Sequence, residues 1–317
     1  MTKFAFIFPG QGSQFIGMGQ DLAEAFPAAK AVFEEVDDAL GQDLSGLMWD
    51  GSEEELKLTA NTQPALMAVS MAAMRALEAA HGISAGTATF IAGHSLGEYS
   101  ALASAGSISV GDCAKVLRVR GNAMQKAVPA GEGAMAALLG ASPEQAAALC
   151  AAGKAEGVCE IANDNAPGQI VISGGKAAVE LAISGAKEAG VKKAVLLPVS
   201  APFHCSLMQP AAEAMAEALA EIEIKAPSTP LVANVTAVAG SDPDELRQQL
   251  VEQVTGQVRW TESVQYMAGE GVELMFEVGA GKTLSVMNRR TVKGLEGLTM
   301  GTQDEIDTIG ARLASLG

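Results

Sequence analysis

Thr89-Phe90-Ile91-Ala92 leads directly into Gly93-His94-Ser95-Leu96-Gly97, and an Ala-rich helical segment, Glu98 to Ala105, follows. A strand that enters a helix through so few residues must turn sharply. Side chains at 93 or 97 would collide with neighbouring backbone, which is why glycine stands at both. This is the layout of a nucleophile elbow, with a serine at the apex in strained backbone and its Oγ exposed. The N–H groups of the following helix point at any negative charge that develops there. Acyl transfer through a covalent serine ester is the chemistry it suggests. A strand–loop–helix with an incidental serine has the same lettering, so the elbow needs partners elsewhere in the chain.

The rest of the pattern supplies a scaffold for such a turn. Strands are predicted over 4–8, 89–92, 231–233 and 274–278, between helices over 21–40, 63–80, 110–127, 207–221 and 261–268. Strands alternating with helices indicate a parallel α/β sheet. The strands are continuously apolar, as strands covered on both faces are. In such sheets chemistry gathers at the carboxyl ends of the strands, where the loops Pro9–Gln14 and Gly93–Gly97 begin. The middle of the chain has another rhythm: a strand over 133–139, then a helix over 143–152 capped by Ser142 with Pro143 at its first position. Strands over 158–162 and 169–173 follow, joined through Asn163-Asp164-Asn165-Ala166-Pro167-Gly168, a run dense in turn residues. A helix over 176–189 and a strand over 194–199 complete a β-α-β-β-α-β order, the ferredoxin-like pattern. The expected architecture is therefore a parallel-sheet, hydrolase-like α/β catalytic domain (1–128 plus 200–317) carrying an inserted ferredoxin-like lobe (129–199). A cleft between the two is a natural substrate site.

Composition narrows the partners. The formal net charge of −16 argues against nucleic acid, which demands a basic surface. One basic stretch stands out, Lys282 to Lys293 with Arg289-Arg290 at its centre. It reads equally as a patch for an acidic protein partner or as a solvated helix end. The four cysteines show no Cys-x-x-Cys and no His/Cys metal spacing. They read as buried free thiols of a reducing compartment. Residues 3–8 carry one charge and a short apolar run stopped by Pro9-Gly10, too short for a signal peptide. No apolar run reaches membrane-spanning length. A cytoplasmic protein without membrane contact, metal or redox cofactor is expected, and nothing requires more than a monomer.

A serine nucleophile needs a proton acceptor, usually histidine, and the chain has three. His81 precedes Gly82 at the end of a long helix, where a cation and a cap explain it without function. His94 adjoins Ser95 and points the other way in an extended turn, although it can line the pocket. His204 follows a strand end and the turn Ala201-Pro202-Phe203, which suits the rim of the same cleft, and it is the favoured base. Its alternative is a cap for the helix that follows. An α/β-hydrolase would place its histidine near the C-terminus, whereas more than a hundred residues follow His204. For the oxyanion, the N–H of Leu96 offers one donor and the Gly10-Gln11-Gly12 turn a second. That turn is not a dinucleotide fingerprint, because Phe15 occupies the third glycine position.

Six collinear segments resemble the malonyl-CoA:acyl-carrier-protein transacylases. They are Phe8-Pro9-Gly10-Gln11-Gly12-Ser13-Gln14, Gly93-His94-Ser95-Leu96-Gly97-Glu98-Tyr99, Arg118-Val119-Arg120-Gly121, Gly133-Ala134-Met135-Ala136-Ala137, Phe203-His204, and Phe276-Glu277-Val278-Gly279 with Gly281-Lys282. The resemblance implies that Ser95 is acylated, that His204 is the catalytic histidine, and that Gln11 and Leu96 supply the oxyanion N–H groups. It implies that Arg120, otherwise readable as a solvated helix residue, pairs with the malonyl carboxylate; a guanidinium offers the planar fork for that. It further implies that the main-chain carbonyl of Gln253 orients the histidine, although Val254-Thr255-Gly256-Gln257 departs from the family's usual wording. Gln63 and Asn163 match pocket-lining positions, and His94 can line the same pocket from its place beside Ser95. Phe203 stands where some members have serine, and a bulky ring there would crowd an added α-methyl group. The implied activity is malonyl transfer from malonyl-CoA to acyl carrier protein by a ping-pong route, supplying fatty-acid synthesis, with no cofactor. A serine hydrolase and a non-catalytic CoA- or carrier-binding scaffold are the rival readings.

Overall fold

The computed structural model describes residues 2–316. Among the described residues, ten strands fall into two sheets. The larger contains β1 (Lys3–Phe8), β2 (Phe90–Gly93), β7 (Leu231–Val232), β8 (Ala239–Gly240), β9 (Val272–Val278) and β10 (Glu296–Met300), in the order β10-β9-β1-β2-β7-β8. All neighbours are parallel except the short edge pair β7–β8. The smaller sheet contains β3 (Gly133–Leu139), β4 (Cys159–Ala166), β5 (Gln169–Gly175) and β6 (Lys193–Leu196), antiparallel in the order β4-β5-β3-β6. The parallel α/β sheet and the separate four-stranded sheet of the sequence reading are both present.

β1 shows why this sheet is buried on both faces. Side chains alternate along a strand. Phe4, Phe6 and Phe8 enter the large core beneath one face, where Phe4 and Phe6 meet Phe276 at centroid distances of 5.6 and 5.9 Å. Ala5 and Ile7 enter a second core with Trp260 and Met275. The chain runs outward from β1 through β2 to β8, then returns to β9 and β10 on the other side. Connections that diverge in this way leave a crevice at the carboxyl ends of the strands where the direction reverses.

Several element boundaries differ from the sequence reading. The helix expected over 21–40 is two helices, Gln20–Ala25 and Pro27–Leu40, because the ring of Pro27 holds Phe26 extended. The helix expected over 176–189 ends at Ser184, and the strand expected over 194–199 is Lys193–Leu196. The connection over 163–168 is mostly strand: β4 runs to Ala166 and only Pro167-Gly168 turn. Two irregularities in register let β4 continue through its turn-type residues. There it meets the large domain. Val258 donates to the Ala162 carbonyl at 2.8 Å and Asp164 donates to the Val258 carbonyl at 3.0 Å. The helices Leu44–Asp50, Pro243–Thr255, Thr283–Thr291 and Gln303–Leu316, with β8 and β10, are elements the sequence reading omits.

Among the described residues no helix is long and apolar enough to cross a membrane, and no cluster of His, Cys, Asp and Glu could hold a metal ion. All four cysteines are free and buried.

Candidate active site

Ser95 leaves β2 with φ 54°, in the left-handed region that costs a non-glycine residue about 1–2 kcal/mol. The surrounding backbone enforces this turn. A Cβ on Gly93 would overlap the Gly97 carbonyl, and one on Gly97 would overlap the carbonyl of Phe8 on the neighbouring strand. Asn234, just past β7, spans the elbow: its Nδ2 donates to the Gly93 carbonyl at 2.6 Å and its Oδ1 accepts from the Ser95 N–H at 2.8 Å.

His204 is the second strained residue, with φ 57°. Its Nε2 lies 2.8 Å from Ser95 Oγ, while its Nδ1 lies 2.9 Å from the Gln253 carbonyl and 3.2 Å from the Gly256 carbonyl. A carbonyl can only accept, so Nδ1 carries the proton and Nε2 is free to accept from the serine hydroxyl. Burial, and then the nearby Arg120 charge, push the His204 pKa down from 6.5 to about 3. The ring is thus a neutral base at neutral pH.

That shift has a consequence for stability. The unfolded chain binds this proton near pH 6.5 and the folded chain only near 3. The folded state is therefore favoured above 6.5 and loses that advantage as the pH falls toward 3. Replacing His204 with glutamine is expected to flatten the acid loss by up to about 1.4 kcal/mol per pH unit. Denaturant unfolding between pH 7 and pH 4 measures it; identical slopes for variant and parent would refute the depressed pKa.

Arg120 lies on the buried face of the helix Val110–Lys126 and is only 1% exposed. The reading of this residue as a solvated helix position fails because its face packs against the helix Thr59–His81. Its neighbour Arg118, two positions earlier and so on another face, is held instead by Asn61 and Gln42. Arg120 Nη1 donates to Gln63 Oε1 at 3.0 Å; Nη2 donates to Ser95 Oγ at 3.1 Å and to Gln253 Oε1 at 2.8 Å. The guanidinium also sits 5.6 Å from the Tyr99 ring centroid, within cation–π range.

These groups line a cavity of about 210 Å³ between the two sheets. It is smaller than the pockets that enclose a drug-sized ligand, so it suits a short acyl group and its thioester, with a larger carrier left outside. Gln11, Gln63, His94, Leu96, Asn163 and Phe203 all border it, alongside Ser95, Arg120 and His204. Gln253 reaches these residues from behind. The N–H groups of Gln11 and Leu96 donate to no acceptor among the described residues. The Ser95 N–H, by contrast, is taken by Asn234. His94 turns from the serine toward Asn165, its Nε2 2.8 Å from Oδ1.

One wall is unforeseen by the sequence. The helix Thr283–Thr291 faces the cavity with Leu284 and Met287. Its N-terminus is fixed by Glu277 at the end of β9, which accepts from Leu284 N at 3.0 Å and Ser285 N at 2.7 Å. Lys282, Arg289, Arg290 and Lys293 are exposed on and around this helix, but none of them lines the cavity, and Lys293 lies beside Val272 and Glu296 at the amino ends of β9 and β10. Asn234 and Glu98 are also unforeseen. A glutamate in a helix's first turn ordinarily serves the helix terminus, and Asn234 is 139 residues from its partner Ser95, so neither gives a local signal.

An acyl transferase domain family model matches residues 5–303. The malonyl CoA-acyl carrier protein transacylase of Escherichia coli (strain K12) is 45% identical over 313 residues, covering 99% of both chains. That of Bacillus subtilis (strain 168) is 46% identical over 308 residues, covering 97% of this chain and 96% of the relative. Among solved structures, an acyl-carrier-protein-S-malonyltransferase from Bartonella henselae superposes with a TM-score of 0.96 at 52% identity, covering 99% of this chain and 100% of that one. A malonyl-transacylase solved in complex with its type II polyketide acyl-carrier protein superposes at 0.94 and 41% identity, covering 98% and 100%.

Proposed function

The chain belongs to the acyl transferase domain family, and we propose that it moves malonyl groups from malonyl-CoA to the phosphopantetheine thiol of an acyl carrier protein, supplying fatty-acid synthesis. The observation that carries this reading is the buried guanidinium of Arg120, 3.1 Å from the Ser95 hydroxyl. A cation so placed serves an acyl group with a free carboxylate of its own.

His204 Nε2 takes the Ser95 proton as Oγ attacks the thioester carbonyl. The oxyanion is held by the N–H groups of Gln11 and Leu96 at the start of the helix Gly97–Ser104. The carbon–sulfur bond then breaks, and His204 returns its proton to the departing CoA sulfur. The carrier thiol gives its proton to the same nitrogen, attacks the malonyl-serine ester, and Ser95 leaves with the proton restored. The Nδ1 bond to the Gln253 carbonyl keeps the ring in the tautomer both halves need. Gln63 steadies Arg120, and His94, Asn163 and Phe203 shape the pocket, with the Phe203 ring set against an α-methyl group.

Residues 129–199 form the inserted lobe, and 1–128 with 200–317 the catalytic domain. CoA and the phosphopantetheine arm both carry phosphate, which suits the exposed Lys282 next to the cavity-lining Thr283. The four free thiols support a reducing, cytoplasmic setting, and the net charge supports a protein without nucleic-acid or membrane contact. A monomer suffices for this chemistry, since both halves of the site come from one chain.

Intact-mass spectrometry after brief incubation with malonyl-CoA is expected to show one malonyl adduct that holo carrier protein discharges. Discharge by water at the same rate would make the protein a hydrolase, and CoA bound uncleaved would make it a scaffold.

A further inference from the structure

One buried acid near the elbow has no part in the transfer steps above. Glu98 is the second residue of the helix Gly97–Ser104, yet it turns inward and is 1% exposed. Its Oε2 accepts from the Asn234 backbone N–H at 3.1 Å and from Gln253 Nε2 at 2.8 Å. The same Nε2 donates to the Ser95 carbonyl at 2.9 Å, while Gln253 Oε1 accepts from Arg120 Nη2 at 2.8 Å. Gln253 therefore touches the base through its main chain and the arginine and nucleophile residue through its side chain.

An amide has one accepting end and one donating end. A carboxylate accepts and a guanidinium donates, so with Glu98 on one side and Arg120 on the other only one orientation of the Gln253 amide is satisfied. Turned over, it would set oxygen against carboxylate and NH2 against guanidinium. We propose that Glu98 is a positioning residue for substrate selection: it locks the Gln253 amide, and the locked amide fixes the Arg120 guanidinium where the substrate's free carboxylate must meet it. The proposal rests on the reading of Arg120 given above.

The charge pattern agrees with this. Burial pushes Glu98 up to about 7, while the bonds from Gln253 and Asn234 and the charge of Arg120 hold it down, so these partners favour its ionised, purely accepting form. An acetyl group has no use for Arg120. Loosening the lock should therefore harm malonyl and spare acetyl, which a general loss of structure would not do.

The test compares the parent chain with Glu98→Gln, Gln253→Met and Arg120→Ala, following acyl-enzyme formation from malonyl-CoA and from acetyl-CoA. Glu98→Gln is expected to raise KM for malonyl-CoA about tenfold, the scale of one charge-assisted hydrogen bond, with kcat and the acetyl reaction nearly unchanged. Gln253→Met keeps the carbonyl on His204 but also removes the amide's bond to the Ser95 carbonyl, which can slow both reactions; its malonyl-to-acetyl ratio is the readout and should fall as in Glu98→Gln, with the double variant's ratio falling no further than either alone. Equal losses with both substrates, or no loss, would overturn the proposal. Malonyl preference lost in Arg120→Ala but kept in Glu98→Gln and Gln253→Met would overturn it alone. Preference kept in Arg120→Ala would overturn the arginine's role and this inference with it. Should Glu98→Gln not fold, Gln253→Met decides by the same malonyl-to-acetyl ratio.

Discussion

Replacing Ser95 with alanine is expected to lower malonyl transfer by on the order of 10⁴–10⁶-fold and to leave no acyl adduct on the protein. Ser95 Oγ is the hydroxyl within 2.8 Å of the base, in a turn that leaves its main-chain N–H tied to Asn234. No other step in the scheme forms a bond to the protein. The variant retains the N–H groups of Gln11 and Leu96 and the arginine, so it should still bind malonyl-CoA. Binding and turnover thus separate: titration with malonyl-CoA should saturate near the parent's concentration while intact mass stays unchanged. A malonyl adduct on Ser95→Ala would sink the assignment of the nucleophile.

Arg120→Ala is the second large effect, and it should be selective. A buried, hydrogen-bonded charge pair that loses one partner costs about 2–5 kcal/mol, so kcat/KM for malonyl-CoA is expected to fall roughly 30- to 5,000-fold. Acetyl-CoA should be spared or improved. In the parent an acetyl group leaves the buried guanidinium without a carboxylate, and removal of the cation removes that penalty. The measurement is the ratio of kcat/KM for the two thioesters. Equal losses would mean that Arg120 acts through Ser95 Oγ and Gln253 alone and not on the substrate.

Chemistry tied to local backbone is legible in the sequence. The elbow can be read from two glycines because the clash that demands them involves residues within the turn and on the adjacent strand. The choice among three histidines follows from their chain neighbours. The continuous apolar run of β1 announces a strand covered on both faces, as Phe6 and Ile7 then confirm by lying in different cores. Arg120 is different. In the helix Val110–Lys126 it falls on the apolar stripe of Cys113, Val116, Leu117 and Met124, but a charged side chain at a helical position is ordinarily solvated, so the spacing alone does not decide its burial. Its role is implied by the family resemblance of Arg118-Val119-Arg120-Gly121, and its burial comes from packing on the helix Thr59–His81.

The sequence by itself determined a parallel α/β scaffold, a serine elbow and a histidine to serve it, because turn geometry and side-chain alternation are short-range constraints. Only the tertiary structure decided what surrounds them. It joined β4 to the large domain by a bridge between Asn163 and Val258, it brought Asn234 across the elbow, and it turned Glu98 inward onto Gln253. Buried polar groups must find partners, and those partners are fixed by which distant segments meet when the cores close. No local pattern in the chain records that meeting.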